Sequence, residues 1–193
     1  TGEGRYLALA KFFVDERGQR PNYFELEAAE RGEDPLETTR WRLAYWQAHA
    51  PVREQPAAVG HAVRSGYLYC AMADVAAETA DAGLFRACRR LWDSIVRRRM
   101  YVTGGIGARH EGESHGADYE LPNQRAYAET CAAIALVFFA LGRREAAGRS
   151  RSAGNRSRGC FGRGRRKPSQ GAENEREKED RYCGGRRIAA CSH

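Results

Sequence analysis

The sequence predicts an all-α protein built of helix pairs joined by one long loop, ending in a tail of different character. Three observations carry this. Apolar residues recur at helical spacing through most of residues 1–141, strand-type alternation is missing, and after about residue 145 the large apolar residues almost vanish. Helix pairs with chemistry-bearing loops between them suit a bundle or an α/α toroid.

Tyr6, Leu7, Ala10, Phe13 and Val14 open the pattern, and Gly18 with Pro21 closes that first helix. Residues 31–55 are mixed and charged, with Pro35 and Pro51, and are expected to form a long connection anchored by Trp41, Tyr45 and Trp46. A second helix is expected over about 57–80, its buried stripe being Val59, Val63, Tyr67, Cys70, Ala71 and Val75. A third follows over about 83–97, with Leu84, Cys88, Leu91, Trp92, Ile95 and Val96. The short Asp81–Gly83 connection makes these two antiparallel neighbours. A glycine-rich stretch from Thr103 to Asn123 then breaks the pattern, and a last apolar helix covers about 126–141.

The formal net charge of +7 is unevenly spread. Residues 1–145 hold 19 Lys and Arg against 20 Asp and Glu, whereas residues 146–193 hold 13 against 5. The expected organisation is therefore a near-neutral body, 1–145, and a basic low-complexity tail, 146–193. Such a composition buries too little apolar surface to offset its chain entropy, so the tail is expected to be disordered. It is either a native basic extension or the product of a reading-frame shift. Its run Arg163–Lys167 has only Phe161 nearby for stacking, which does not favour nucleic-acid binding.

The chain opens on Thr1 without a charged-then-apolar leader, as a segment of a longer protein would. The longest apolar run, Cys131 to Leu141, is too short to span a bilayer. None of the six cysteines forms a CxxC pair, so reduced thiols and a cytoplasmic setting are expected.

Chemistry concentrates in two places. Glu111, Glu113, Asp118 and Glu120 share the glycine-rich loop. They read either as a solvated acidic loop or as the source of a general acid/base, such as glycoside cleavage requires. Glu129 and Cys131 open the last helix. Glu129 is either a carboxylate favouring the helix dipole or a metal ligand, and Cys131 either a small buried residue or a second ligand. Residues i and i+2 do not share a helix face, so joint ligation needs the helix to begin at or just before Glu129. His61, near the start of an apolar helix, reads as a satisfied structural histidine or as a weak candidate for substrate contact. Thr103-Gly-Gly-Ile-Gly107 lacks the Lys-Ser/Thr ending of a phosphate loop and reads as a turn.

Taken together, Gly60-His-Ala-Val-Arg64, Tyr101-Val-Thr-Gly-Gly-Ile-Gly107, Gly112-Glu113, Tyr119-Glu-Leu-Pro-Asn123 and Tyr127-Ala-Glu-Thr-Cys-Ala132 resemble family 127 of the glycoside hydrolases, the β-L-arabinofuranosidase-like enzymes. The resemblance runs over about residues 1–141. It implies a fragment of an (α/α)6 barrel (a helical toroid) and a retaining glycosidase whose nucleophile is a zinc-bound cysteine thiolate. Its substrates would be L-arabinofuranosyl-containing oligosaccharides or glycoconjugates. By position it implies Glu113 as general acid/base, 16 residues before Glu129; Glu129 and Cys131 as zinc ligands; and His61 as a sugar contact. His115 stands where the family carries an aromatic residue, and the chain lacks the adjacent Cys-Cys pair from which the family draws its nucleophile. The chain alone is therefore expected to be inactive, and the barrel faces left open are expected to promote self-association.

Overall fold

The computed structural model describes residues 2–39 and 42–157. Among them are seven α-helices: α1 (Gly4–Glu16), α2 (Tyr23–Glu30), α3 (Pro35–Thr39), α4 (Arg42–Tyr45), α5 (Ala62–Thr79), α6 (Ala82–Arg98) and α7 (Thr130–Ser157). A single 3-10 turn, Glu111–Glu113, interrupts the long loop between α6 and α7. No strand occurs among the described residues, only isolated bridges from Ser114 to His61 and Arg109. The all-α expectation holds.

The helix starts are written in local chemistry. Asn22 and Glu25 form a reciprocal capping box at α2. Asp81 caps α6 by accepting from Leu84 N–H at 2.8 Å. Ala80, at φ 54°, ends α5 in the left-handed region, so one residue reverses the chain before the Asp81 cap. That tight turn sets α5 and α6 as the antiparallel pair expected.

The core lies among α5, α6 and α7. Tyr69, Met72, Leu84, Leu91, Ile95, Ile106 and Phe139 are its largest buried apolar side chains. Phe139 sits between Tyr69 and Trp92, with ring centroids 5.5 and 5.6 Å away. Helices α5 and α7 meet at Gly66, where an added Cβ would lie 2.6 Å from Ala135 Cβ. Arg53 ties the outer layer to this core by pairing with Asp15 of α1 and with Asp81, the α6 cap.

Three expectations need correction. The second helix begins at Ala62, not 57, so Val59 precedes it. Its buried face is Ala62, Ser65, Gly66, Tyr69, Met72, Ala73, Val75 and Ala76, so Val75 is buried as expected while Tyr67 is 50% exposed. The small residues Gly66 and Ala73 admit α7 closely and turn that face inward, which a stripe drawn through the larger residues overlooks. The last helix starts at Thr130 and runs to Ser157, beyond the expected 126–141. The region read as connection contains the short helices α3 and α4, and α2 precedes it. Here Trp46 anchors as expected, stacked on Phe24 at 4.1 Å. Residues 146–157, expected to be disordered tail, are instead the end of α7, while Trp41 and residues 158–193 lie outside the described residues.

Helix α1 buries only Val14 and leaves Tyr6, Leu9, Phe12 and Phe13 half exposed. Ile134, Val137, Phe138 and Leu141 of α7, with Tyr67, form a second open apolar face. No described helix is long and apolar enough to cross a membrane.

Candidate active site

The site forms where the start of α5, the acidic loop and the start of α7 converge. His61 is the N-cap of α5, and its Nδ1 accepts from Val63 N–H at 3.2 Å. Nδ1 therefore carries the lone pair and Nε2 the proton. That Nε2–H points at Glu113 Oε2, 3.0 Å away.

Glu113 is held by a tight local fold. Arg109 and Ser114 exchange both backbone hydrogen bonds at 3.1 Å, and Ser114 Oγ donates to Glu111 O at 2.8 Å. Inside this turn Gly112 (φ 65°) and Glu113 (φ 49°) are both left-handed. A glutamate in that region is held there against its own preference. Gly112 also backs onto Tyr45, where an added Cβ would lie 3.2 Å from the ring. Glu113 Oε1 accepts from Tyr127 Oη at 2.9 Å, so two donors from different segments grip one carboxylate. The hydrogen bond to Glu113 is the main reason the Tyr127 hydroxyl is raised above its ordinary pKa, which keeps it a donor.

The other acidic candidates have different work. Glu120 forms a two-pronged pair with Arg109 at 2.8 and 2.6 Å, which holds it down at about 2. Asp118 pairs with Arg98 and with the buried Arg99. Glu111 is exposed. Of the four loop carboxylates, Glu113 is the one that faces His61.

Glu129 immediately precedes α7, and its carbonyl accepts from the N–H groups of Ala132 and Ala133. Cys131 lies in the first turn. The helix thus begins one residue after Glu129, and the two side chains converge despite their i, i+2 spacing. Cys131 is exposed rather than buried, with Sγ 3.6 Å from Glu129 Oε2. Zn–S and Zn–O bonds of about 2.3 and 2.1 Å at a tetrahedral angle place such donors about 3.6 Å apart. The pair therefore fits two corners of a zinc site. One donor atom each from His61, Glu113 and Glu129 also cluster within 4.8 Å of one another. There, however, the His61 lone pair is engaged by Val63 N–H and both Glu113 oxygens accept hydrogen bonds. Glu129 with Cys131 is the better metal pair.

The structure thus brings Glu113, His61 and Glu129 together, with Cys131 beside Glu129. Sequence reasoning assigned no role to Tyr127, although it opens one of the quoted blocks. It assigned none to Ser65 either. Buried His115 meets Ser65 Oγ at 2.8 Å, and its backbone N–H donates to Gly60 O at 2.9 Å. Burial first, then Arg99 and His61, push the His115 imidazole down to about 3. It is a neutral strut that ties the acidic loop to the start of α5.

Comparison with known proteins adds the following. Residues 1–147 match the family model described as "Beta-L-arabinofuranosidase, GH127 catalytic domain". A non-reducing end β-L-arabinofuranosidase of Bifidobacterium longum is 45% identical over 142 residues, which are 72% of this chain and 22% of that protein. The crystal structure of a GH127 β-L-arabinofuranosidase from Geobacillus stearothermophilus T6 is 47% identical with a TM-score of 0.71, covering 79% of this chain and 25% of that one. A second GH127 β-arabinofuranosidase structure is 46% identical with a TM-score of 0.63, covering 77% and 20%. The chain spans about a fifth to a quarter of the length of these relatives.

Proposed function

Because this chain belongs to the GH127 β-L-arabinofuranosidase family and its helices are part of that family's (α/α) barrel, we propose that it supplies part of the catalytic centre of a retaining glycosidase. The enzyme would release terminal β-L-arabinofuranosyl residues from glycans, with Glu113 as general acid/base. The observation that carries this is the Glu113 carboxylate, set on a left-handed turn and gripped by His61 Nε2–H and Tyr127 Oη–H.

In the first half-reaction Glu113 gives its proton to the leaving glycosidic oxygen, and the Tyr127 hydroxyl can turn to accept from the acid form. In the second, the Glu113 carboxylate, now held by both donors, takes a proton from the water that releases the sugar from the nucleophile. His61 keeps the carboxylate aimed and offers its ring edge to the sugar. Glu129 and Cys131 would hold zinc together with donors from beyond this chain. When bound, the metal would keep cysteine sulfur deprotonated at neutral pH. A cytoplasmic location remains part of the proposal.

A chimera tests the assignment. Residues 1–147 replace the matching segment of the Geobacillus enzyme, and hydrolysis of an aryl β-L-arabinofuranoside is followed. The folded chimera should turn over, and Glu113→Gln should cut the rate by roughly 10²-fold or more. A folded but inactive chimera, or a Gln variant with full activity, would end the reading.

A further inference from the structure

A second feature adjoins Tyr45, whose ring packs against His61. Tyr45 meets the His61 ring edge-on at 5.6 Å, and the Arg64 guanidinium lies over Tyr45 at 5.3 Å. Arg64 in turn lines a cleft of about 650 Å³ together with Arg17, Phe24, Trp46, Tyr67 and Leu68. That volume is ample for one sugar ring with its substituents.

The walls of this cleft are chemically uneven. Among the described residues that line it none is acidic, and two are arginines. They are close enough that Arg64, after burial, is the cause that lowers the pKa of Arg17. Arg17 is partly buried and steadied by donating to Trp46 O at 3.1 Å, so it cannot simply swing into solvent. Like charges held together in a half-buried cleft form a site whose repulsion an anion relieves. Beside them, Phe24, Tyr67 and Leu68 add apolar wall, with Trp46 stacked on Phe24. Aromatic faces of this kind pack against the C–H face of a ring whose rim is polar.

We propose that this cleft is a subsite for a uronate-type sugar, a pyranose bearing a carboxylate, within the glycan that carries the scissile residue. The carboxylate lies between Arg17 and Arg64, and the ring lies on the aromatic wall. The proposal rests on the glycosidase reading for its saccharide component and on the two arginines for its charge.

Binding without turnover separates the two. Isothermal titration of the 193-residue chain compares methyl galacturonoside, methyl galactoside and acetate at low salt. The uronate should bind about 10-fold or more tightly than either control, as one charge-assisted contact set would give. Arg64→Gln, an exposed change, should erase the preference with the circular dichroism spectrum unchanged, whereas Glu113→Gln should leave it intact. Equal binding of uronate and galactoside, no binding of either, or an undiminished preference in Arg64→Gln overturns the proposal. Acetate binding as tightly as the uronate overturns its sugar component. None of these outcomes depends on whether the chimera hydrolyses arabinofuranosides.

Discussion

At the scale of single residues, Glu113 shows what spacing could and could not reveal. Four carboxylates in one loop were equivalent as a sequence, and the family resemblance singled out one. In the structure Glu120 and Asp118 are committed to arginines, while Glu113 receives His61 and Tyr127. If Glu113 acts as proposed, Tyr127→Phe in the chimera should lower kcat by roughly 10-fold with little change in KM, because it loosens the proposed acid/base group rather than substrate binding. Unchanged kcat would remove Tyr127 from the site. His115 makes a separate prediction about pH. Its folded-state pKa of about 3 lies below the ordinary 6.5, so between those values the unfolded chain binds more protons than the folded one. Its contribution is thus fully present above pH 6.5 and is lost as pH falls toward 3, at a limiting slope of about 1.4 kcal/mol per pH unit. Denaturant titrations across that window should show a shallower loss in His115→Phe than in the parent. Parallel slopes would mean that the imidazole is not held neutral.

Among the helices, the packing face of α6 was readable, with Leu84, Cys88, Leu91 and Ile95 buried as expected, whereas that of α5 was readable only in part. Asp81 and the short link after α5 announced an antiparallel pair from composition alone. The inward face of α5 was only partly foreseen because α7 approaches closely at Gly66, which carries no hydrophobic signal. Gly66→Ala should cost about 1–3 kcal/mol of stability through overpacking against Ala135. Adding Ala135→Gly should restore part of it, a coupling that a urea double-mutant cycle reads directly. Additive losses would show that the two helices do not meet there. The start of α7 is a similar case. Placing the helix start at Thr130, just after Glu129, is what lets an i, i+2 pair converge to 3.6 Å. A continuous helix from 126 would have set the two side chains apart.

At the scale of the described residues, α1 and α7 leave apolar faces open. Exposed Leu9, Phe12 and Phe13 on one side, and Val137, Phe138 and Leu141 on the other, should drive concentration-dependent association of the purified chain. Sedimentation velocity should show species larger than 21.6 kDa, and a single monomer peak at high concentration would count against it. The same 193 residues should not hydrolyse an aryl β-L-arabinofuranoside, since they contain no adjacent cysteine pair. Measurable turnover abolished by Glu113→Gln would refute that. By itself the sequence determined the helical class and the order of the blocks that carry the family, because periodicity and fixed spacing are properties of the chain; the roles of Glu113, Glu129 and Cys131 came from the family resemblance. Only the tertiary structure decided which loop carboxylate faces His61, which nitrogen of His61 faces it, that Tyr127 is its second partner, and that Arg17 and Arg64 share one cleft. Those facts depend on groups distant along the chain meeting through space, and that proximity is fixed by how α5, α7 and the loop between α6 and α7 pack.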